Sequence, residues 1–227
     1  MTTPSPVHEA RIVRIVERAP QTRSFFLHIA RQIRLRPGQF LSCLLPVGAE
    51  TLTRPYSVAS DPDDPLLEIC LNLVPGGAGS QHLFSLETGA TLRFTGPWGT
   101  FIMDDPPDAE CVFIAEGMGI APIRPMLRRA LARGSGHHLR LHYGASNAAH
   151  LLYAEEFTAL AQEHPQFTFV PALDAPLLAA IDQRYVQQDT DRRRHFYICG
   201  VGDVVLRLRD LLRQAGYERR AVAYEKW

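Results

Sequence analysis

The chain has 227 residues, 46% hydrophobic and 21% charged, and its 24 basic residues balance its 24 acidic ones. That is the make-up of an ordinary folded protein of one large or two small domains, burying about 70% of its unfolded surface. Balanced charge excludes a global attraction for nucleic acid or an anionic membrane. No apolar run nears the ~20 residues of a membrane span, and the start, MTTPSPVHEA, lacks the marks of a leader, so a cytoplasmic protein is expected.

The first hundred residues read as short strands separated by turn signals. Glu9 to Val16 and Thr22 to Ile29 alternate loosely, Pro37-Gly38 punctuates before Gln39 to Leu45, and Arg54 to Ala59, Leu66 to Val74 and Thr91 to Thr95 follow. Only Ser80 to Leu86 looks helical, and the set predicts an antiparallel barrel or sandwich. Asp104-Asp105-Pro106-Pro107-Asp108 continues neither strand nor helix, so a boundary is expected there, between a domain of residues 1–104 and one of residues 109–227.

Beyond it the period changes. Glu110 to Ala115, His138 to Ala145, Phe167 to Ala172, His195 to Cys199 and Arg220 to Tyr224 read as strands. Pro122 to Arg133, Tyr153 to His164 and Asp203 to Ala215 read as helices, while the type of Leu177 to Gln188 stays open. Such alternation predicts a parallel α/β sheet with ligands beyond the carboxyl ends of its strands.

Four stretches carry chemistry. Phe113 to Pro125, FIAEGMGIAPIRP, is a buried strand, a glycine turn and a helix start. Gly117 and Gly119 let backbone approach a ligand, and the free N–H groups of a helix start suit a nucleotide diphosphate. Arg54-Pro55-Tyr56-Ser57 offers a guanidinium for a phosphate, an aromatic face for a flat heterocycle and a hydroxyl beside it. Gly76-Gly77-Ala78-Gly79-Ser80 precedes the helix of this half, exposing amides to an anion with Ser80 as a cap. Gly96 to Phe101, GPWGTF, is a turn. Taken singly, each is as readily an ordinary turn or edge strand. Cys43, Cys70, Cys111 and Cys199 are too scattered for a zinc site or a bound plant-type iron–sulfur centre, and the nine histidines show no ligand spacing, so no metal is expected.

In this order along the chain, the motifs resemble those of the ferredoxin-NADP reductase family of flavoproteins. The family's Arg-x-Tyr-Ser appears as Arg54, Tyr56 and Ser57, its glycine-rich turn ending in Ser as Gly77, Gly79 and Ser80, and its Gly-Pro-x-Gly-x-Phe as Gly96 to Phe101. Its nucleotide motif matches at Gly117, Gly119 and Pro122, followed by Leu151-Leu152-Tyr153 with Glu155-Glu156-Phe157, by Cys199-Gly200, and by Glu225 with the terminal Trp227. The resemblance implies a two-domain β plus α/β fold: an antiparallel Greek-key barrel for FAD, then a parallel-sheet NAD(P) domain, with no fused iron–sulfur domain. It implies that Arg54, Gly79 and Ser80 hold the FAD pyrophosphate beside Pro55 and Gly77, that Tyr56 stacks on the isoalloxazine and that Ser57 bonds near its N5. It further implies that Gly117, Met118 and Gly119 receive the nucleotide pyrophosphate, that Cys199 and Gly200 border the nicotinamide, that Glu225 lies beside the hydride path and that Trp227 covers the flavin and gates nicotinamide access.

The chain departs from many members at Glu116 and Met118, where they have Gly and Thr, and at Val201, where they have Pro. A carboxylate at Glu116 is unfavourable beside a pyrophosphate unless it points away. Ser146, Asn147, His150 and Arg184 are candidate contacts for a 2'-phosphate, which leans the expectation to NADPH with NADH possible. The expected activity is hydride transfer from NAD(P)H to FAD, then single electrons to a separate ferredoxin, flavodoxin or iron–sulfur oxygenase component, with a monomer expected. Free flavin as the acceptor, or a flavin-binding electron-transfer subunit without nicotinamide turnover, are the alternatives.

Overall fold

The computed structural model describes residues 6–31, 33–104, 107–173 and 176–227. Of the expected Asp104 to Asp108 boundary, Asp105 and Pro106 lie outside the described residues. The chain folds as two compact units, Met1–Ile102 and Met103–Trp227.

In the first unit, alternating apolar residues in short runs give strands whose inner faces build one core. The strands are β1 (Val7–Ala19), β2 (Thr22–His28), β3 (Phe40–Val47), β4 (Glu50–Ser57), β5 (Leu67–Asn72) and β6 (Thr91–Trp98). They pair antiparallel in the order β4-β3-β6-β1-β2-β5, and a bridge from Val58 to Ile69 joins the edge strands, closing the sheet into a barrel. Along β3, Leu41, Cys43 and Leu45 are buried and join Ile12, Phe25, Leu27, Ile69 and Phe94 in the core. Each large apolar side chain there contributes roughly 1.5–3 kcal/mol over its exposed state. Strand β4 starts at Glu50, four residues before the expected Arg54. Gly48, at φ 60°, turns the chain in two residues, so Val47 pairs with Glu50 and Pro46 stays within the ladder.

Helix α1 (Ala78–Ser85) follows β5. It opens two residues before the expected Ser80, because the extended residue Gly77 is its N-cap.

The second unit holds a parallel sheet in the order β11-β10-β7-β8-β9, made of β7 (Cys111–Glu116), β8 (Leu139–Ala145), β9 (Phe167–Leu173), β10 (His195–Gly200) and β11 (Val222–Lys226). Its helices are α2 (Ile120–Ala132), α3 (Ala154–Glu163), α4 (Leu177–Asp182) and α5 (Val204–Gln214). The chain adds β8 and β9 on one side of β7, then returns to add β10 and β11 on the other, so the order reverses between β7 and β10. At such a switch point the loops beyond the strand ends part and leave a crevice for a ligand. Val112, Ile114, Phe196 and Ile198 pack with Leu177, Ile181, Val205 and Leu208 of α4 and α5.

The segment from Leu177 to Gln188, left open by its pattern, forms α4 and continues as a π-helical turn, Gln183–Gln187. Within that turn Tyr185 is buried, and its Oη lies 3.0 Å from Nε2 of His142 on β8. Tyr153 caps α3 at a φ of 58°, under the guanidinium of Arg124, which pairs with Glu156 at 2.8 Å.

Candidate active site

Strand pleating puts Arg54 and Tyr56, two residues apart on β4, on one face. A Cβ built on Gly79 would meet Arg54 Cγ at 3.0 Å, Leu45 Cδ1 at 3.3 Å and Tyr56 Oη at 3.5 Å. The first turn of α1 therefore stands against these side chains, and only a glycine leaves room. The first N–H groups of α1 have no acceptor within the helix, which is the kind of helix start that suits an anion. Arg54 is exposed and donates from Nη1 to the Thr53 carbonyl at 2.9 Å. Ser80 lies inside the turn and does not cap it: its hydroxyl donates to the Gly77 carbonyl at 2.9 Å and accepts the Val74 N–H at 3.0 Å. Gly77 is pressed against Val74, where a Cβ would sit 2.9 Å from the Val74 Cβ.

Tyr56 is half-buried, and burial pushes its phenol up to about 12. Ser57 is buried at the end of β4, opposite Phe40, and Pro55 is exposed. The turn after β6 packs on the same Phe40, since a Cβ on Gly99 would reach its ring at 3.1 Å.

The carboxyl edge of the second sheet carries the other group. Gly117 has φ 52° and open space above it, as a ligand-facing turn requires. Gly119 has no space at all: a Cβ there would lie 2.0 Å from the Cys199 carbonyl oxygen. Cys199 is level with Ala115 of β7 and Glu225 of β11, and the Trp227 N–H extends this ladder to the Gly200 carbonyl at 3.1 Å. Met118, Gly119, Cys199, Gly200, Glu225 and Trp227 thus share one sheet edge.

Cys199 is 1% exposed, and burial first, then the Glu225 charge, raises its thiol, so it stays neutral. Burial pushes Glu225 up to about 7. Oε1 of Glu225 and Oε2 of Glu116 are buried without a hydrogen-bond partner among the described residues. Ser146 and Asn147 are exposed after β8, with Asn147 Oδ1 2.9 Å from His150 Nδ1, and Arg184 is exposed on the π-helical turn.

Residues 10–103 match the oxidoreductase FAD-binding domain, and residues 113–205 match the oxidoreductase NAD-binding domain. Ferredoxin--NADP reductase B of Sorangium cellulosum is 33% identical, with 96% of this chain and 97% of that protein aligned. The chain belongs to the ferredoxin-NADP reductase family. Two relatives from Amycolatopsis are also similar to this family member. The reductase subunit of an aromatic O-demethylase is 34% identical over 72% of the chain and 50% of its own length. The crystal structure of cytochrome P450 reductase GcoB superposes with a TM-score of 0.86 at 29% identity, covering 99% of this chain and 71% of that one. The chain spans about half the length of the oxygenase reductase components it matches.

As a member of the ferredoxin-NADP reductase family, the chain is an NAD(P)H-dependent flavoprotein oxidoreductase with FAD and a nicotinamide nucleotide as cofactors, and an electron-transfer partner goes with that activity. Its residues are compatible with both groups: an exposed arginine, Arg54, and the start of α1 stand together in the first unit, and the turn at Gly117 has open space in the second. Among the described residues no helix is long and apolar enough to cross a membrane. The sequence gives no sign that Leu45 packs beside Gly79, since its mark there is the apolar alternation of β3.

Proposed function

We propose that this chain takes hydride from NADPH, with NADH as the alternative donor, onto FAD and passes electrons singly to a separate ferredoxin, flavodoxin or iron–sulfur oxygenase component. Residues 1–104 act as the FAD domain and residues 109–227 as the NAD(P) domain, in a monomer. When bound, FAD supplies the conversion between a two-electron hydride and single electrons. The observation that carries the reading is the grouping of Arg54, Tyr56 and Gly79, a cation, an aromatic face and bare backbone.

In this reading Arg54 and the amides of Gly79 and Ser80 hold the FAD pyrophosphate, while Gly77 and the Ser80 hydroxyl keep the turn closed. Tyr56 lies on the ring system, Pro55 stiffens the strand between them, and the Ser57 hydroxyl donates to the ring. Gly117, Met118 and Gly119 receive the nucleotide pyrophosphate, Cys199 and Gly200 border the nicotinamide, and Glu225 holds a proton beside them. Trp227 occupies the nicotinamide position in the resting protein. Ser146 and Asn147 receive the 2'-phosphate; no acidic residue lies between Gly144 and His150 to repel it.

Anaerobic rapid mixing of the FAD-loaded protein with NADPH and NADH in turn tests this reading. Bleaching of the flavin within seconds, faster with NADPH, is the expected result. A flavin that neither nucleotide bleaches would overturn it.

A further inference from the structure

Glu116 ends β7 and precedes the turn Gly117–Gly119. Two glycines flank it: Gly144 of β8 is level with it, and Gly200 of β10 follows Cys199, which is level with Ala115. Leu177 fills the space beside Gly144, where a Cβ would meet its Cδ1 at 2.6 Å. On the other side a Cβ on Gly200 would lie 3.0 Å from the Glu116 Cβ and 3.3 Å from Val205. The base of the side chain is thus closely packed, and Oε2 is buried with no hydrogen-bond partner among the described residues.

Among the described residues burial is what shifts Glu116, with no charged group acting beside it. Lys226, level with Gly200 on β11, is bound to Asp203 at 2.8 Å. Arg207 of α5 is exposed, Glu225 in the next row is itself a carboxyl group raised by burial, and His142, two residues before Gly144 on β8, is bound to Tyr185. Arg124 of α2 is bound to Glu156.

We propose that Glu116 contacts the pyridine nucleotide as a neutral carboxylic acid, its hydroxyl donating to a pyrophosphate oxygen, so that nucleotide binding takes up a proton. This rests on the reading that the turn Gly117–Gly119 receives the pyrophosphate. An ionised carboxylate here would face a group of its own sign without a donor between them, whereas the protonated form gains the partner its buried oxygen lacks. Burial already favours that form, raising Glu116 above the usual carboxylate range before any anion arrives. A bound diphosphate raises it further. The proton is released again when the nucleotide leaves, so Glu116 is a positioning residue whose contribution is felt as pH-dependent affinity.

The test is isothermal titration of the FAD-loaded protein with NADP+ and with NAD+, in buffers of different ionisation enthalpy, for the wild type and Glu116→Gln. The difference between the wild type and Glu116→Gln cancels any titration of the 2'-phosphate itself. The wild type should take up close to one proton per nucleotide on the alkaline side of the Glu116 titration, where its affinity falls about tenfold per pH unit. Glu116→Gln, which keeps a neutral hydrogen-bonding group, should bind with that uptake abolished and a flatter pH profile. Two results overturn the proposal and leave the site reading standing: an unchanged proton count in Glu116→Gln, or a weakening at every pH with no wild-type uptake, which marks an ionised acceptor. Failure of the wild type to bind either nucleotide overturns both.

Discussion

Gly119 and Cys199 touch backbone to backbone: a single methyl group on Gly119 would lie 2.0 Å from the Cys199 carbonyl oxygen and 2.7 Å from the Gly200 nitrogen. That contact ties the glycine turn after β7 to the end of β10. Atoms of two peptide units cannot yield to it without moving a strand, so Gly119→Ala should destabilise the second unit by roughly 3 kcal/mol or more. Thermal melting and nucleotide titration check this. Nucleotide affinity should be lost while flavin content is retained, since the contact lies within residues 103–227.

Arg54 is exposed and bonds to the carbonyl of its own neighbour Thr53, so its removal should leave the barrel intact. A charge-assisted hydrogen bond to a phosphate is worth roughly 1.5–3 kcal/mol. Arg54→Ala should therefore weaken FAD binding about tenfold to a hundredfold with little change in apoprotein melting. Fluorescence titration of apoprotein with FAD measures it, and an unchanged affinity would count against the proposed pyrophosphate contact.

Glu225 has its ordinary value of 4.5 pushed up to about 7 by burial. Because the folded value lies above the unfolded one, the fold prefers the protonated form. Its contribution is full below about pH 4.5 and is lost as pH rises through about 7. Above that range the penalty is on the order of 3 kcal/mol. Glu225→Gln should thus raise apoprotein stability in alkaline buffer and leave it unchanged near pH 4, as urea unfolding at the two pH values will show.

His142 titrates with the opposite sense. Burial, then the charges of Arg140 and Arg184, lowers it from 6.5 to about 4, so the fold prefers the neutral ring bound to Tyr185. Stability from this pair is full above about pH 6.5 and is lost as pH falls to about 4, on the order of 3 kcal/mol in all. His142→Asn, which cannot take the proton, should flatten the acid limb of the stability profile in the same unfolding experiment.

Trp227 anchors its backbone N–H on the Gly200 carbonyl and its side chain bonds at Cys199 and Glu225, the strand end proposed for the nicotinamide, with 38% of the residue exposed. In the proposed gate an incoming nicotinamide displaces this ring, at about 25 cal/mol for each Å² of apolar surface uncovered. Deleting Trp227 should tighten nucleotide binding in the FAD-loaded protein. An unchanged dissociation constant would count against a gate.

Much of this was legible in the letters. Short alternating strands followed by strand–helix alternation determine an antiparallel barrel and then a parallel sheet, because burial of every second or every third-to-fourth residue is a local property of the chain. The ordered glycine, arginine and aromatic motifs determine the family, since each needs a particular residue type at a particular spacing. What only the tertiary structure decided are the relations between residues far apart in sequence. Leu45 packs beside Gly79, the Ser80 hydroxyl serves its own turn, Gly144 and Gly200 flank Glu116, whose Oε2 has no partner among the described residues, and Leu177 to Gln188 switches to a π-helical turn so that Tyr185 meets His142. Local pattern fixes which face of an element is buried. What that face meets, and so whether a polar group finds a partner, depends on the packing of the whole unit.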